Sequence, residues 1–133
     1  MNAPTDPTDR RPLVLVADDE KDVREMIREI LRFAGMDTIL APNGQEALRL
    51  LEERRGAVDL ILTDVMMPVL DGPALAHQAA LEWPDIPVLF MTGHTVELLA
   101  SRGLLGENTP RIEKPFQVRQ LIRTLQDALG RPP

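Results

Sequence analysis

The feature that most constrains this chain is a rhythm. Short runs, mostly apolar, close on polar or turn residues and alternate with longer stretches of helical periodicity. Leu13-Val14-Leu15-Val16-Ala17 ends at Asp18-Asp19-Glu20, and Asp37 to Ala41 ends at Pro42-Asn43-Gly44. Val58 to Thr63 ends at Asp64, Val88-Leu89-Phe90-Met91 at Thr92-Gly93-His94, and Arg111-Ile112-Glu113 at Lys114-Pro115-Phe116. Where such a run is unbroken, as in Leu13 to Ala17 and Val88 to Met91, it reads as a strand covered on both faces. Between the first two runs, Val23, Met26, Ile27, Ile30, Leu31 and Ala34 form one helical stripe, with Gly35 placed to cap it. Gln45 to Arg54 shows Ala47, Leu48 and Leu51 on one side, and Leu75, Ala79 and Trp83 are spaced by four before Pro84. Val96 to Arg102 makes a short fourth helix, while Leu104 to Pro110 fits no element. A last helix carries Val118, Leu121, Ile122, Leu125 and Leu129, and Gly130 ends it.

Strands alternating with helices call for a parallel sheet covered on both faces, joined by right-handed crossovers. The expected architecture is a flavodoxin-like, doubly wound (βα)5 three-layer α/β sandwich with five strands in the order 2-1-3-4-5. At 133 residues the chain suffices for one domain with a real core. That domain is expected over 13–130, with 1–12 a disordered tail and 131–133 a short C-terminal one. No apolar run reaches the roughly 18 to 20 residues that span a bilayer, nothing at the start resembles a secretory signal, and there is no cysteine. A cytoplasmic, membrane-free protein is the expectation. The formal net charge of −6 runs against direct nucleic-acid binding, which calls for a basic stripe. Lys21 and Lys114 are the only lysines beside thirteen arginines, so each merits attention.

In this fold the C-terminal ends of the strands open on one rim, where ligands bind. Strand one brings Asp18 and Asp19 there, strand three Asp64, strand four Thr92 and strand five Lys114. Any of these alone has a dull explanation as a cap, a strand residue or a solvated charge. Together they place three carboxylates, a hydroxyl and an ammonium around one crevice. Carboxylates so crowded repel, and one is pushed towards protonation unless a cation intervenes. Oxygen-only ligands select a hard cation, and a site with few protein ligands suits Mg²⁺ better than Ca²⁺. Asp64 can then act as a nucleophile towards phosphorus, with Mg²⁺, Lys114 and the Thr92 hydroxyl neutralising the phosphoryl oxygens.

These residues carry a resemblance. Asp18-Asp19, the block Asp64-x-x-Met67-Pro68-x-x-Asp71-Gly72, Thr92-Gly93 and Lys114-Pro115-Phe116 together resemble the receiver domain of two-component response regulators, from about Leu13 to Leu129. The resemblance implies that Asp64 accepts phosphate from a histidine kinase or a histidine phosphotransfer protein. It implies that Asp19, Asp64 and the main-chain carbonyl of Met66 hold Mg²⁺, with Asp18 helping through water. It further implies that Lys114 contacts the phosphoryl group, that the Lys114–Pro115 bond is cis, and that Thr92, followed by Gly93, turns to the phosphoryl oxygens after modification.

The chain departs from that family where an aromatic residue usually stands three positions before the lysine. Arg111 is there, and the chain has no tyrosine. The expectation is that Arg111 stays outside and joins Arg119 and Arg123 in a basic output face, on the side of the fourth helix, fifth strand and last helix, that binds an unknown protein partner. A solvated arginine paired with a nearby glutamate is the even alternative. Met66 and His94 flank the site where the family tunes hydrolysis of the acyl phosphate. Met66 has no group to orient water, so slow self-dephosphorylation is expected; His94 either hydrogen-bonds such a water and tunes the rate or is an exposed loop histidine, the favoured reading. The expected function is a stand-alone receiver with protein binding as its output, rather than a turnover enzyme. The alternative is a receiver cut from a hybrid kinase or a longer regulator. A metal-dependent phosphatase would carry a second aspartate at the position of Met66, and a flavin phosphate would be repelled by Asp18-Asp19-Glu20.

Overall fold

The computed structural model describes residues 11–93 and 110–130. Its five strands, β1 (Leu13–Ala17), β2 (Asp37–Ala41), β3 (Leu60–Asp64), β4 (Val88–Thr92) and β5 (Arg111–Glu113), form one parallel sheet in the order β2-β1-β3-β4-β5. The helices are α1 (Lys21–Phe33), α2 (Gly44–Glu53), α3 (Gly72–Glu82) and a C-terminal helix (Val118–Ala128). The expected strand order and sandwich are therefore present. The expected fourth helix over 96–102, His94, residues 1–10 and the tail 131–133 lie outside the described residues.

Side chains alternate across each strand, so the sheet has two buried faces. Val14, Val16, Leu60, Leu62, Leu89, Met91 and Ile112 face Ile27 and Leu31 of α1 and Leu121 and Leu125 of the C-terminal helix. Leu15, Ala17, Ala41 and Ile61 face Ala47 and Leu51 of α2 and Leu75 and Ala79 of α3. Most of these side chains are fully buried, each large one contributing about 1.5–3 kcal/mol by leaving water.

The helix ends follow from local chemistry. Gly35 takes φ +88° after α1, and the Gly35 and Met36 N–H groups return to the Arg32 and Leu31 carbonyls. That satisfies two carbonyls otherwise left open. The Asn43 side chain accepts from the Glu46 N–H to start α2, and Asp71 does the same for Ala74 to start α3.

Several boundaries move. β3 begins at Leu60 rather than Val58, because the Val58 N–H is taken by the Gly56 carbonyl in a tight turn, and it extends to Asp64, which pairs with Met91. Arg11 and Pro12, expected as tail, belong to the fold. Arg11 bonds Asp37 at 2.9 Å, Pro12 is buried, and its carbonyl accepts the Asp37 N–H.

Candidate functional site

The alternation that builds one face of the core also builds the site. Asp18 is two residues beyond Val16, Asp64 two beyond Leu62, and Lys114 two beyond Ile112, and all three predecessors lie in the same core cluster. The pairing of Ala17 with Thr63 sets Asp18 level with Asp64. The outcome is direct: Lys114 Nζ donates to Asp18 Oδ2 at 2.9 Å and to Asp64 Oδ2 at 3.3 Å. Asp18 is fully buried, whereas the Asp64 side chain is 15% exposed and so reaches solvent.

Asp18 is held on every side. Its N–H donates to the Ala41 carbonyl, Oδ1 accepts the Glu20 N–H at 2.8 Å, and its carbonyl accepts from Arg24 Nη1 at 2.7 Å. Asp64 is fixed through its own carbonyl. The Thr63 hydroxyl donates to it at 2.9 Å, and Gly72 packs so closely that a Cβ there would run into it. The intervening loop turns sharply: the Leu70 N–H donates to the Pro68 carbonyl around Val69, whose φ of 72° is a strained choice for a β-branched residue. Met66 is exposed on this loop, while Val65 and Met67 are buried beside it. Thr92 is buried at the end of β4, its carbonyl accepts the Lys114 N–H at 2.7 Å, and no atom of the described residues crowds Gly93. The Lys114–Pro115 peptide is cis.

The electrostatics match an unbalanced pocket. Burial raises the Asp64 pKa above the ordinary carboxylate value; the Lys114 charge opposes this, and the neighbouring Asp18 and Asp19 charges add to it. For Lys114, burial pulls downwards, but its hydrogen bond to Asp18 and the charges of Asp64 and Asp18 outweigh it, so the net shift is upwards. One carboxylate oxygen from each of Asp18, Asp19 and Glu20 lies within 4.8 Å of the others. This is the only group of three or more acidic, histidine or cysteine ligands so close among the described residues. An all-oxygen donor set of this charge fits a hard divalent cation. Asp64 stands outside that tight group, joined to it through the Lys114 ammonium.

The structure thus brings Asp18, Asp64 and Lys114 into contact, with Thr92 on the adjoining strand end. Arg111 is half-buried on β5, and Arg119 and Arg123 are exposed one turn apart on the C-terminal helix. An open groove beside β5 is lined by Arg111 and Gln120, but neither Arg119 nor Arg123 is among its described lining. Sequence reasoning assigned no role to three residues of the site. Glu20 joins the acidic cluster, Thr63 secures the Asp64 carbonyl, and Arg24 secures that of Asp18. Only Glu20 carried a signal, as a third acid in a row.

A doubly wound sheet with paired acids after β1, an aspartate ending β3 and a lysine after β5 defines the class of receiver domains. The chain belongs to that family: the model of the response regulator receiver domain matches residues 14–126. It is 35% identical over 118 residues to the response regulator MprA of Mycolicibacterium vanbaalenii, covering 89% of this chain and 50% of MprA. It is 34% identical to the sensor kinase CckA of Brucella abortus over 87% of this chain but 12% of CckA. With the response regulator receiver protein CpdR of the same organism the identity is 31%, over 87% of this chain and 95% of CpdR. The chain thus spans about half of MprA and a small part of CckA. Among solved structures, chemotaxis protein CheY4 of Vibrio cholerae superposes with a TM-score of 0.77 at 30% identity, over 89% of this chain and 98% of that one. The receiver domain of sensor histidine kinase PA1611 from Pseudomonas aeruginosa, solved with magnesium coordinated in its active site cleft, gives 0.78 at 25% identity, over 90% and 98%.

Proposed function

We propose that this domain accepts a phosphoryl group on Asp64 from a phosphohistidine donor and signals by binding another protein when modified. The observation that carries this reading is the span of Lys114 from Asp18 Oδ2 to Asp64 Oδ2, which puts a nucleophile, an acidic partner and a cation at one point. An Asp64 oxygen attacks phosphorus, the P–N bond to the donor imidazole breaks, and the imidazole nitrogen takes up a proton. Asp19, Asp64 and the Met66 carbonyl, with Asp18 behind them, would hold Mg²⁺, which would supply charge neutralisation to the phosphoryl oxygens. Lys114 orients one of those oxygens, and the Thr92 hydroxyl another. The acidic cluster and the magnesium-bound PA1611 receiver support the ion.

The test is incubation with a small acyl phosphate and Mg²⁺, followed by intact mass. One added phosphoryl group, absent in Asp64→Asn, is the expected result; an unmodified parent chain overturns the reading. The near end-to-end match to CpdR supports a one-domain regulator, and the CckA match supports a receiver carried inside a kinase. The native mass of the protein in its source cells separates these. For output, Arg111, Arg119 and Arg123 offer a basic side to a partner. Arg111→Ala is expected to weaken binding of the phosphorylated form, and equal affinity of parent and variant would remove Arg111 from that surface.

A further inference from the structure

Resting on that reading, we propose that Arg24 is a positioning residue for the ion and phosphoryl site: its guanidinium fixes the Asp18–Asp19 peptide and thereby sets where the Asp19 carboxylate stands. Arg24 lies in the first turn of α1, where the helix dipole is positive and a cation is the wrong charge. It nevertheless turns back to the strand end and donates from Nη1 to the Asp18 carbonyl at 2.7 Å. It chooses this main-chain oxygen although Asp18, Asp19, Glu20 and Asp22 all lie within six positions.

The bond answers a local need. β1 ends at Ala17, so the carbonyl of the buried Asp18 has passed the last described ladder pair and requires a donor. Glu20, the residue preceding α1, makes no side-chain capping bond that would steady the loop. Arg24 supplies the missing tie. With the Asp18 N–H on Ala41 and both its carboxylate oxygens engaged, the peptide leading into exposed Asp19 is held as one rigid plate. Asp19 then needs to order only its own side chain on meeting a cation.

Charge and position predict opposite results when Arg24 is removed. As a charge, the guanidinium repels a divalent cation, so its loss tightens Mg²⁺ binding. As a positioning group, it preorganises the loop, so its loss weakens binding. We expect position to prevail. By calorimetry on the unphosphorylated protein, Arg24→Met, which keeps the apolar stem, binds Mg²⁺ about tenfold more weakly than the parent, the scale of lost outer-shell support. Arg24→Lys keeps the charge but not the planar fork, and binds about threefold more weakly. Amide exchange at Glu20, whose N–H rests on Asp18 Oδ1, quickens in metal-free Arg24→Met while the melting temperature stays within a few degrees. Unchanged or tighter Mg²⁺ binding in Arg24→Met overturns the inference. So does parental affinity in Arg24→Lys, which decides alone if the methionine variant fails to fold. A parent chain that binds no Mg²⁺ instead overturns the underlying functional reading, and this inference with it.

Discussion

The two ends of the sheet are built from the same strands and by opposite rules. At the end where strands begin, groups are matched: Asp59 Oδ2 accepts the Leu13 N–H at 2.7 Å, Arg11 pairs with Asp37, and Trp83 packs against Gly56. At the end where strands finish, Lys114 spans Asp18 and Asp64 while Asp19 and Glu20 crowd against Asp18, beside a loop with a valine in a left-handed turn. The first arrangement secures the fold. The second holds charge and strain that the rest of the fold must offset, and that imbalance is what the proposed cation and phosphoryl group would relieve.

A pair of glycine substitutions breaks this comparison most strongly. Gly56→Ala puts a Cβ into the Trp83 ring at a φ of 74°, and Gly72→Ala puts one into the Asp64 carbonyl. Each is expected to cost about 1–3 kcal/mol in denaturant unfolding. Only Gly72→Ala should also slow phosphorylation of the remaining folded protein, because only it shifts the Asp64 backbone. Equal phosphorylation rates in the two variants would dissolve the distinction between the ends.

A smaller effect sharpens it. Since burial holds the Asp64 pKa above its unfolded value, the native state keeps that proton more firmly than the unfolded chain does. Stability from this group is therefore intact below the ordinary aspartate pKa of about 4 and is lost as pH rises through the native value. Asp64→Asn should accordingly be more stable than the parent near neutral pH without Mg²⁺, and the gain should vanish in acid. Melting curves across pH check this, and a gain that grows on acidification would contradict it. The smallest expected change in stability is for exposed Met66→Asn, within about 0.5 kcal/mol. The same substitution places an amide near the acyl phosphate and should shorten its lifetime, read by intact mass against time.

Much of this was legible in the chain because every strand but β2 ends on or runs directly into a polar residue. The order of Asp18, Asp64, Thr92 and Lys114 along the rim follows from topology alone. What escaped was contact made by reach rather than by pattern. Arg24 bonds a carbonyl six residues back, which no helical or strand period indicates. Arg11 and Pro12 looked like tail because polar and proline residues carry no periodicity, yet the β1–β2 edge recruits them. Val58 reads as strand by hydrophobicity, but the turn closed by Gly56 claims its N–H first.

The parity shared by Val16 and Asp18, by Leu62 and Asp64, and by Ile112 and Lys114 has a consequence for how errors in folding are handled. A single-residue slip of β3 would send Leu60 and Leu62 to the wrong layer and carry Asp64 away from Lys114 in the same step. Misaligned chains are thus penalised by lost packing before they can persist as stable, inert copies. The population that survives as folded protein is, by the same token, the population with the Asp64 carboxylate correctly placed against Lys114.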